Sequence, residues 1–158
     1  MQFGFSLPIS GPQGSADALA TIARRGEELG FAFAAVGDHI VIPRNIESRY
    51  PYSQTGEFGS RGECLDLLTV LSFVAGLTST LRLVTSVMVL PYRNPVHTAK
   101  ALASIDVLSG GRLTVGCGVG WMEEEFEALG APPYADRGAV SDEYILAFKE
   151  LWTSDNPT

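Results

Sequence analysis

Leu81-Arg82-Leu83-Val84-Thr85-Ser86-Val87-Met88-Val89, carried by a short turn into Asn94-Pro95, decides the fold class. The run is apolar and β-branched with little alternation, the pattern of a strand buried on both faces of a parallel sheet. Asn94 is a preferred N-cap and Pro95 suits the first helical position, so a helix starts at once. Ala99, Leu102 and Ala103 mark its inner face, with Asp106 and Leu108 near its end, and Gly110-Gly111 stops it. Strand and helix in direct succession make one βα unit.

The same unit recurs on either side. Phe3–Leu7 reads as a strand ended by Pro8, and Ala16–Leu29 as a helix with Leu19, Ile22, Ala23, Gly26 and Leu29 on one face, closed by Gly30. Phe33–Gly37 is a second strand, followed by a long loop at about residues 38–62. The next helix is expected over about Cys64–Leu77, with Leu67, Leu68, Leu71, Val74 and Ala75 inward. A fourth strand is expected at Arg112–Gly116, then a short helix at Trp121–Leu129 opened by Gly118 and Gly120. A last helix spans about residues 138–152, with Val140, Tyr144, Ile145, Phe148 and Leu151 as its stripe. Strands alternating with helices imply an α/β fold with a parallel sheet. Two architectures fit this order: an open doubly wound sheet, or part of a barrel.

Composition narrows the function. The 158 residues suit one domain, and 46% apolar against 18% charged residues allow a sizeable core. The net charge of −7, with no cluster of Lys or Arg, speaks against nucleic acid and anionic membrane surfaces as partners. No apolar stretch approaches the roughly 20 residues of a membrane span. Met1–Pro8 has no basic leader and reads as a strand, not a signal peptide. Cys64 and Cys117 lie far apart, so a cytoplasmic protein with reduced thiols is expected. His39 and His97 are the two histidines, and no His/Cys cluster has the spacing of a zinc site.

Three strand ends carry chemistry. Asp38-His39 follows the second strand, where parallel α/β folds place their sites. The His can exchange a proton near neutral pH and the adjacent Asp can orient it; a capped strand end with a structural His is the other reading. Thr85-Ser86-Val87-Met88 closes the third strand, with hydroxyls able to meet the polar edge of a planar ligand or to satisfy local backbone. Gly116-Cys117-Gly118-Val119-Gly120 follows the fourth, where glycines admit a close ligand approach. With Asp136 downstream this is a near miss to a dinucleotide fingerprint, but Glu123-Glu124-Glu125 in the next helical turn would repel a pyrophosphate. Cys117 reads as a packing thiol, Arg112 as structural, and Trp121 as a ligand cover or a core residue. Tyr50, Tyr52 and Phe58 of the long loop can line an apolar pocket or pack on one another.

Taken together, several motifs resemble the bacterial-luciferase-like family. They are Phe3-Gly4-Phe5-Ser6-Leu7-Pro8; Glu28-Leu29-Gly30-Phe31 leading to Val36-Gly37-Asp38-His39; Leu90-Pro91-Tyr92-Arg93-Asn94-Pro95; Leu108-Ser109-Gly110-Gly111-Arg112; and the glycine run with Trp121 and Glu124-Glu125-Phe126. The tract Ile42-Pro43 through Ser48-Arg49-Tyr50-Pro51-Tyr52 is similar to a coenzyme F-420-dependent subgroup of actinobacterial type. The resemblance covers essentially the whole chain. It implies a TIM-type (β/α)8 barrel with a flavin or deazaflavin at the C-terminal mouth of its strands. It further implies catalytic roles for His39 and Asp38, with His39 as the proton partner. Cofactor contacts are implied at Ser6, Ser86, Val87, Met88, Gly116, Gly118 and Gly120, with a bulge and a non-proline cis peptide at Ser86-Val87. The implied reaction is hydride transfer between coenzyme F-420 (8-hydroxy-5-deazaflavin) and a small organic substrate; the alternative is an FMN-dependent monooxygenase. Some sugar-phosphate dehydrogenases of the family carry an aromatic residue where this chain has Ile42-Pro43, which speaks against that substrate class.

A full (β/α)8 barrel needs about 250 residues. The chain is therefore expected to hold about the first four βα units, as the N-terminal half of a barrel cut short near Thr158. Two open sheet edges would then invite pairing, as a homo-oligomer or with a second half-barrel. A non-catalytic half-barrel that binds flavin or a partner chain is a third reading.

Overall fold

The computed structural model describes residues 1–59 and 62–157. Four strands, β1 (Gly4–Ser6), β2 (Phe33–Val36), β3 (Arg82–Val89) and β4 (Leu113–Gly118), form one parallel sheet in the order β1-β2-β3-β4. Each crossover thus moves one strand along without reversing. A doubly wound sheet reverses its order at a switch point, whereas a barrel does not. The sheet is therefore of the (β/α) barrel type, with four strands present.

The crossover helices are α1 (Ala16–Glu28), α2 (Leu67–Ala75) and α3 (Pro95–Ser109). After β4 come the short α4 (Glu123–Leu129) and then α5 (Arg137–Thr153). Side-chain oxygens cap three of these helices: Ser15 accepts from Ala18 N, Asp66 from Thr69 N and Asn94 from His97 N. Gly110 ends α3 with φ 71°, a left-handed cap that suits glycine.

The core lies between sheet and helices. Ala34, Val36, Leu83 and Met88 meet Leu19, Ala23, Leu71, Val74, Leu102 and Phe148 there. By strand alternation the opposite, barrel-interior face carries Gly4, Ser6, Phe33, Ala35, Arg82, Val84, Ser86, Thr114 and Gly116. This face is small and partly polar towards the strands' C-terminal ends. No helix among the described residues is long and apolar enough to cross a membrane.

Several expected boundaries shift, each for a local reason. The second crossover helix begins at Leu67, not Cys64, because Cys64 pairs with Ser10 in an isolated bridge and Asp66 is the cap. Leu29 is 59% exposed, since α1 ends one residue earlier. Leu108 is 72% exposed, on the outer side of the last turn of α3. Strand β4 runs on through Gly118, so Gly116 and Gly118 belong to the sheet and the helix beyond starts only at Glu123. Of the long loop, residues 60 and 61 lie outside the described residues, as does Thr158.

Candidate active site at the strand ends

The sheet brings Asp38-His39, Ser86-Val87 and the Gly116–Gly120 run to one end of the molecule. Asp38 is buried there and its carboxylate is fully engaged. Oδ2 accepts from Val89 N at 2.9 Å and Arg93 Nη1 at 2.7 Å, and Oδ1 accepts from Arg93 Nη2 at 2.8 Å. Arg93 also reaches Asp66 Oδ2 at 3.0 Å. Burial works against the Arg93 charge, but the two aspartates outweigh it and hold its pKa above the usual value. This forked pairing ties the ends of β2 and β3 to the start of α2. The role expected for Asp38, orienting its neighbour His39, therefore falls to another carboxylate.

That carboxylate is Glu125. It is 0% exposed, and its Oε2 lies 2.7 Å from His39 Nδ1 and accepts from Tyr92 Oη at 2.9 Å. Its Oε1 accepts from Ile40 N at 2.8 Å and Val41 N at 3.0 Å. Burial pushes the Glu125 pKa up, but the His39 ring and the two backbone N–H groups more than offset this, and the group is held below its usual value. Tyr92 is shifted the other way: burial first, then the Glu125 charge, push its hydroxyl well above the ordinary phenol range.

In the sequence Glu125 stands out only as part of an acidic turn and a family motif, and Tyr92 and Arg93 do not stand out as site residues. A signal for Glu125 was present. It lies at helical spacing from Met122 and Leu129 and beside Phe126, on the inward face of α4, where an unpaired glutamate would be costly. The neighbouring glutamate works on the same loop. Glu124 Oε1 accepts from Glu47 N and from Ser48 N at 2.6 and 2.9 Å, and Glu123 N donates to Ser48 Oγ at 3.1 Å. The acidic run thus anchors residues 40–48 across the mouth.

Beyond that anchor the loop folds over His39. The Phe58 ring centroid lies 4.8 Å from that of His39, and Trp121 lies 5.0 Å from Tyr50 and 5.3 Å from Phe58. Tyr50 and Phe58 thus pack on Trp121 as well as on each other, while Tyr52 touches Tyr50 and is otherwise exposed.

On the other side of the mouth the Ser86–Val87 peptide bond is cis, and the β3–β4 register shifts between Thr85 and Met88. Val87 is pushed out over β4. A Cβ on Gly118 would overlap Val87 Cγ2, and one on Gly116 would overlap Thr85 O. Gly120 combines φ 85° with close packing on Phe126 and Val89. These glycines are therefore required by the protein's own bulge and turn. Ser6 and Ser86 are exposed on the interior face, whereas Met88 is 1% exposed and packs into the helix layer. Cys117 is exposed, and its sulfur lies 3.9 Å from Val115 O.

A parallel sheet that steps one strand at a time, with a buried glutamate paired to a histidine at its C-terminal end, defines a barrel-type α/β fold. The sequence model of the luciferase-like monooxygenase family matches residues 1–158, and the chain belongs to that family. It is 32% identical over 140-odd residues (141) to an F-420-dependent glucose-6-phosphate dehydrogenase of Amycolatopsis mediterranei, covering 87% of this chain and 38% of that one. It is 35% identical over 91 residues to an FMNH2-dependent dimethylsulfone monooxygenase of Pseudomonas putida, covering 56% and 25%. The solved structure of monooxygenase RslO1 from Streptomyces bottropensis superposes with a TM-score of 0.73 at 28% identity, over 98% of this chain and 44% of that one. The chain spans about half the length, 49%, of uncharacterised mycobacterial relatives that it matches. Family members with these names are oxidoreductases and monooxygenases, and the relatives use either F-420 or FMN.

Proposed function

We propose that this chain forms the first four βα units of a barrel oxidoreductase that transfers a hydride between coenzyme F-420 and a small organic substrate. The observation that carries this reading is the pairing of an open floor with a histidine ring held at its edge. Ser6, Ala35 and Ser86 leave the interior face low across β1–β3, Val87 rises beside it over β4, and the His39 ring is fixed by Glu125. The residues fit a planar ring with polar edges: exposed hydroxyls on Ser6 and Ser86, and no bulky side chain on the floor between them. The deazaflavin, when bound, supplies the hydride chemistry. Ser6, Ser86 and the backbone of Val87 and Met88 would hold its ring, and the Gly116–Gly120 run would pass beneath it. His39 would take or return the accompanying proton, and Asp38 would keep the strand end in place through Arg93. The Arg93 charge is taken up by two aspartates, so Arg93 is not free to hold the cofactor's phosphate.

A second reading, an FMN-dependent monooxygenase, is favoured by the likeness to the Pseudomonas putida enzyme. Under either reading the open edges of β1 and β4 would be paired by a second half-barrel, as part of a longer chain or of an oligomer. Titration with F-420 and with FMN, with the mass in solution recorded, tests these readings. Tight binding of F-420 with substrate-dependent reduction supports the first, and FMN with oxygen consumption the second. Binding without turnover would leave a ligand-holding half-barrel. His39→Ala is expected to lower turnover far more than cofactor affinity; equal turnover removes His39 from the mechanism.

A further inference from the structure

We propose that Glu125 is the positioning residue of His39 and holds its imidazole as the Nδ1–H tautomer, leaving Nε2 as the atom that exchanges a proton at the mouth. The proton-exchange part of this inference rests on the reaction proposed above; the tautomer does not.

Glu125 Oε1 faces the N–H groups of Ile40 and Val41, which can only donate. Oε2 faces Tyr92 Oη and His39 Nδ1. A carboxylate accepts at every position, so Tyr92 donates its hydroxyl proton and Nδ1 must carry a hydrogen. Nδ1 makes the ring's hydrogen bond among the described residues, and Phe58 and Trp121 flank the ring, with centroids 4.8 and 6.4 Å away. Free histidine favours the Nε2–H form, so the opposite tautomer here is a consequence of Glu125. With the hydrogen on Nδ1, neutral His39 presents a lone pair at Nε2 and can act as a base. Once protonated there, it can act as the acid.

Glu125→Gln leaves the same four partners around a carboxamide. The amide oxygen must stay on the Oε1 side, because the backbone N–H groups of Ile40 and Val41 cannot become acceptors. The amide NH2 then faces His39 Nδ1 and Tyr92 Oη. His39 can accept only by moving its hydrogen to Nε2. The substitution therefore inverts the tautomer and turns the base at the mouth into a donor.

The experiment is long-range nitrogen–proton correlation spectroscopy on the intact 15N-labelled protein, at a pH where its histidines are neutral. His97 is the other histidine and serves as an internal reference. Expected for the unsubstituted protein are a pyrrole-like Nδ1 and a pyridine-like Nε2 for His39, reversed in Glu125→Gln and unchanged in Tyr92→Phe. An Nε2–H ring in the unsubstituted protein, or the same tautomer in Glu125→Gln, overturns the assignment. Should Glu125→Gln fail to fold, the unsubstituted spectrum and that of Tyr92→Phe still decide. Turnover in Glu125→Gln is expected to fall at least about a hundredfold, in kcat rather than KM, with a changed pH profile. Normal turnover by His39→Ala alongside an Nδ1–H spectrum would overturn the proton-exchange role and the reaction with it, leaving only the tautomer.

Discussion

Arg112 offers the most direct test of how the sheet is held, because all five guanidinium N–H groups are used and none meets a carboxylate. Nε donates to Ser109 O at 2.6 Å; Nη1 donates to Thr78 Oγ1 at 2.9 Å and Leu81 O at 2.7 Å; Nη2 donates to Ala75 O and Thr78 O, both at 2.9 Å. Two of these carbonyls close α2 and its turn, and a third ends α3, so the cation also sits where the helix dipoles favour it. Hydrogen bonds from a charged donor contribute more than neutral ones, but Arg112 is only half-buried and water can replace part of what is lost. Arg112→Met should therefore cost about 3–4 kcal/mol. Arg112→Lys keeps the charge but has three donors and no planar fork, so at least two acceptors lose their partner, at about 2 kcal/mol. For a domain of this size each kcal/mol lowers Tm by about 2–4 °C. The expected drops are thus about 10 °C for Met and about 5 °C for Lys, read by thermal and urea unfolding. Arg112 precedes β4, at the end of the sheet opposite His39, so cofactor affinity per folded molecule should not change. A Lys variant within about 0.5 kcal/mol of the parent would refute the idea that the fork, and not the charge alone, ties the helices together.

Three further outcomes are expected. Gly118→Ala should cost about 1–3 kcal/mol by overlapping Val87, and Val87→Ala should recover at least about 1 kcal/mol of it in a double-mutant cycle; additive costs would mean the two residues do not meet. Glu27 Oε1 accepts from Ser79 N, Thr80 N, Leu81 N and Thr80 Oγ1; against the upward push of burial these bonds lower its pKa from 4.5 to about 2. Because the folded value is the lower one, its stabilisation is complete above pH 4.5 and is lost as the pH falls towards 2. Glu27→Gln should cost about 1 kcal/mol at neutral pH, after allowance for solvent screening, and flatten that acid limb; an unchanged limb in pH-dependent urea titrations would count against it. Glu124 and Glu125 are also held below the usual value of 4.5, so the loop they anchor should loosen as the pH falls below that value. In a Trp152→Phe background, Trp121 emission should shift red before the far-ultraviolet helix signal is lost, and coincident transitions would sink the idea of a separately anchored loop.

The fold was legible because its signals are local. Asn94-Pro95 starts α3 from within its own first turn, and the apolar run of β3 announces a strand buried on both faces without reference to any partner. The site was only half legible because its bonds are not local. His39 and Glu125 are 86 positions apart, and Asp38 and Arg93 are 55 apart. Adjacency made Asp38 look like the partner of His39, yet successive residues leaving a strand point in different directions, and these two reach different carboxylate or cation partners. The glycine run has a second role of the same non-local kind. Gly116 and Gly118 make room for the bulge that places Ser86 and Val87, a contact that the run's own sequence does not announce.

Three consecutive residues show how closely the strand end is organised. Tyr92 bonds Glu125, Arg93 bonds Asp38 and Asp66, and Asn94 caps α3. The turn after β3 thus engages both acids near His39, one through a hydroxyl and one through a cation, and commits Asp38 to structure while Glu125 holds the ring. The interior face points to the same division. Barrels fill their interiors with layers of bulky branched side chains, but at the mouth of β1–β3 stand Ser6, Ala35 and Ser86, with Val87 rising only over β4. Such residues cannot close-pack a barrel mouth from within, and an unfilled space of that kind forfeits contact energy on every wall. A planar ligand lying on that floor would restore the contacts that larger side chains elsewhere provide, with His39 already held at its edge.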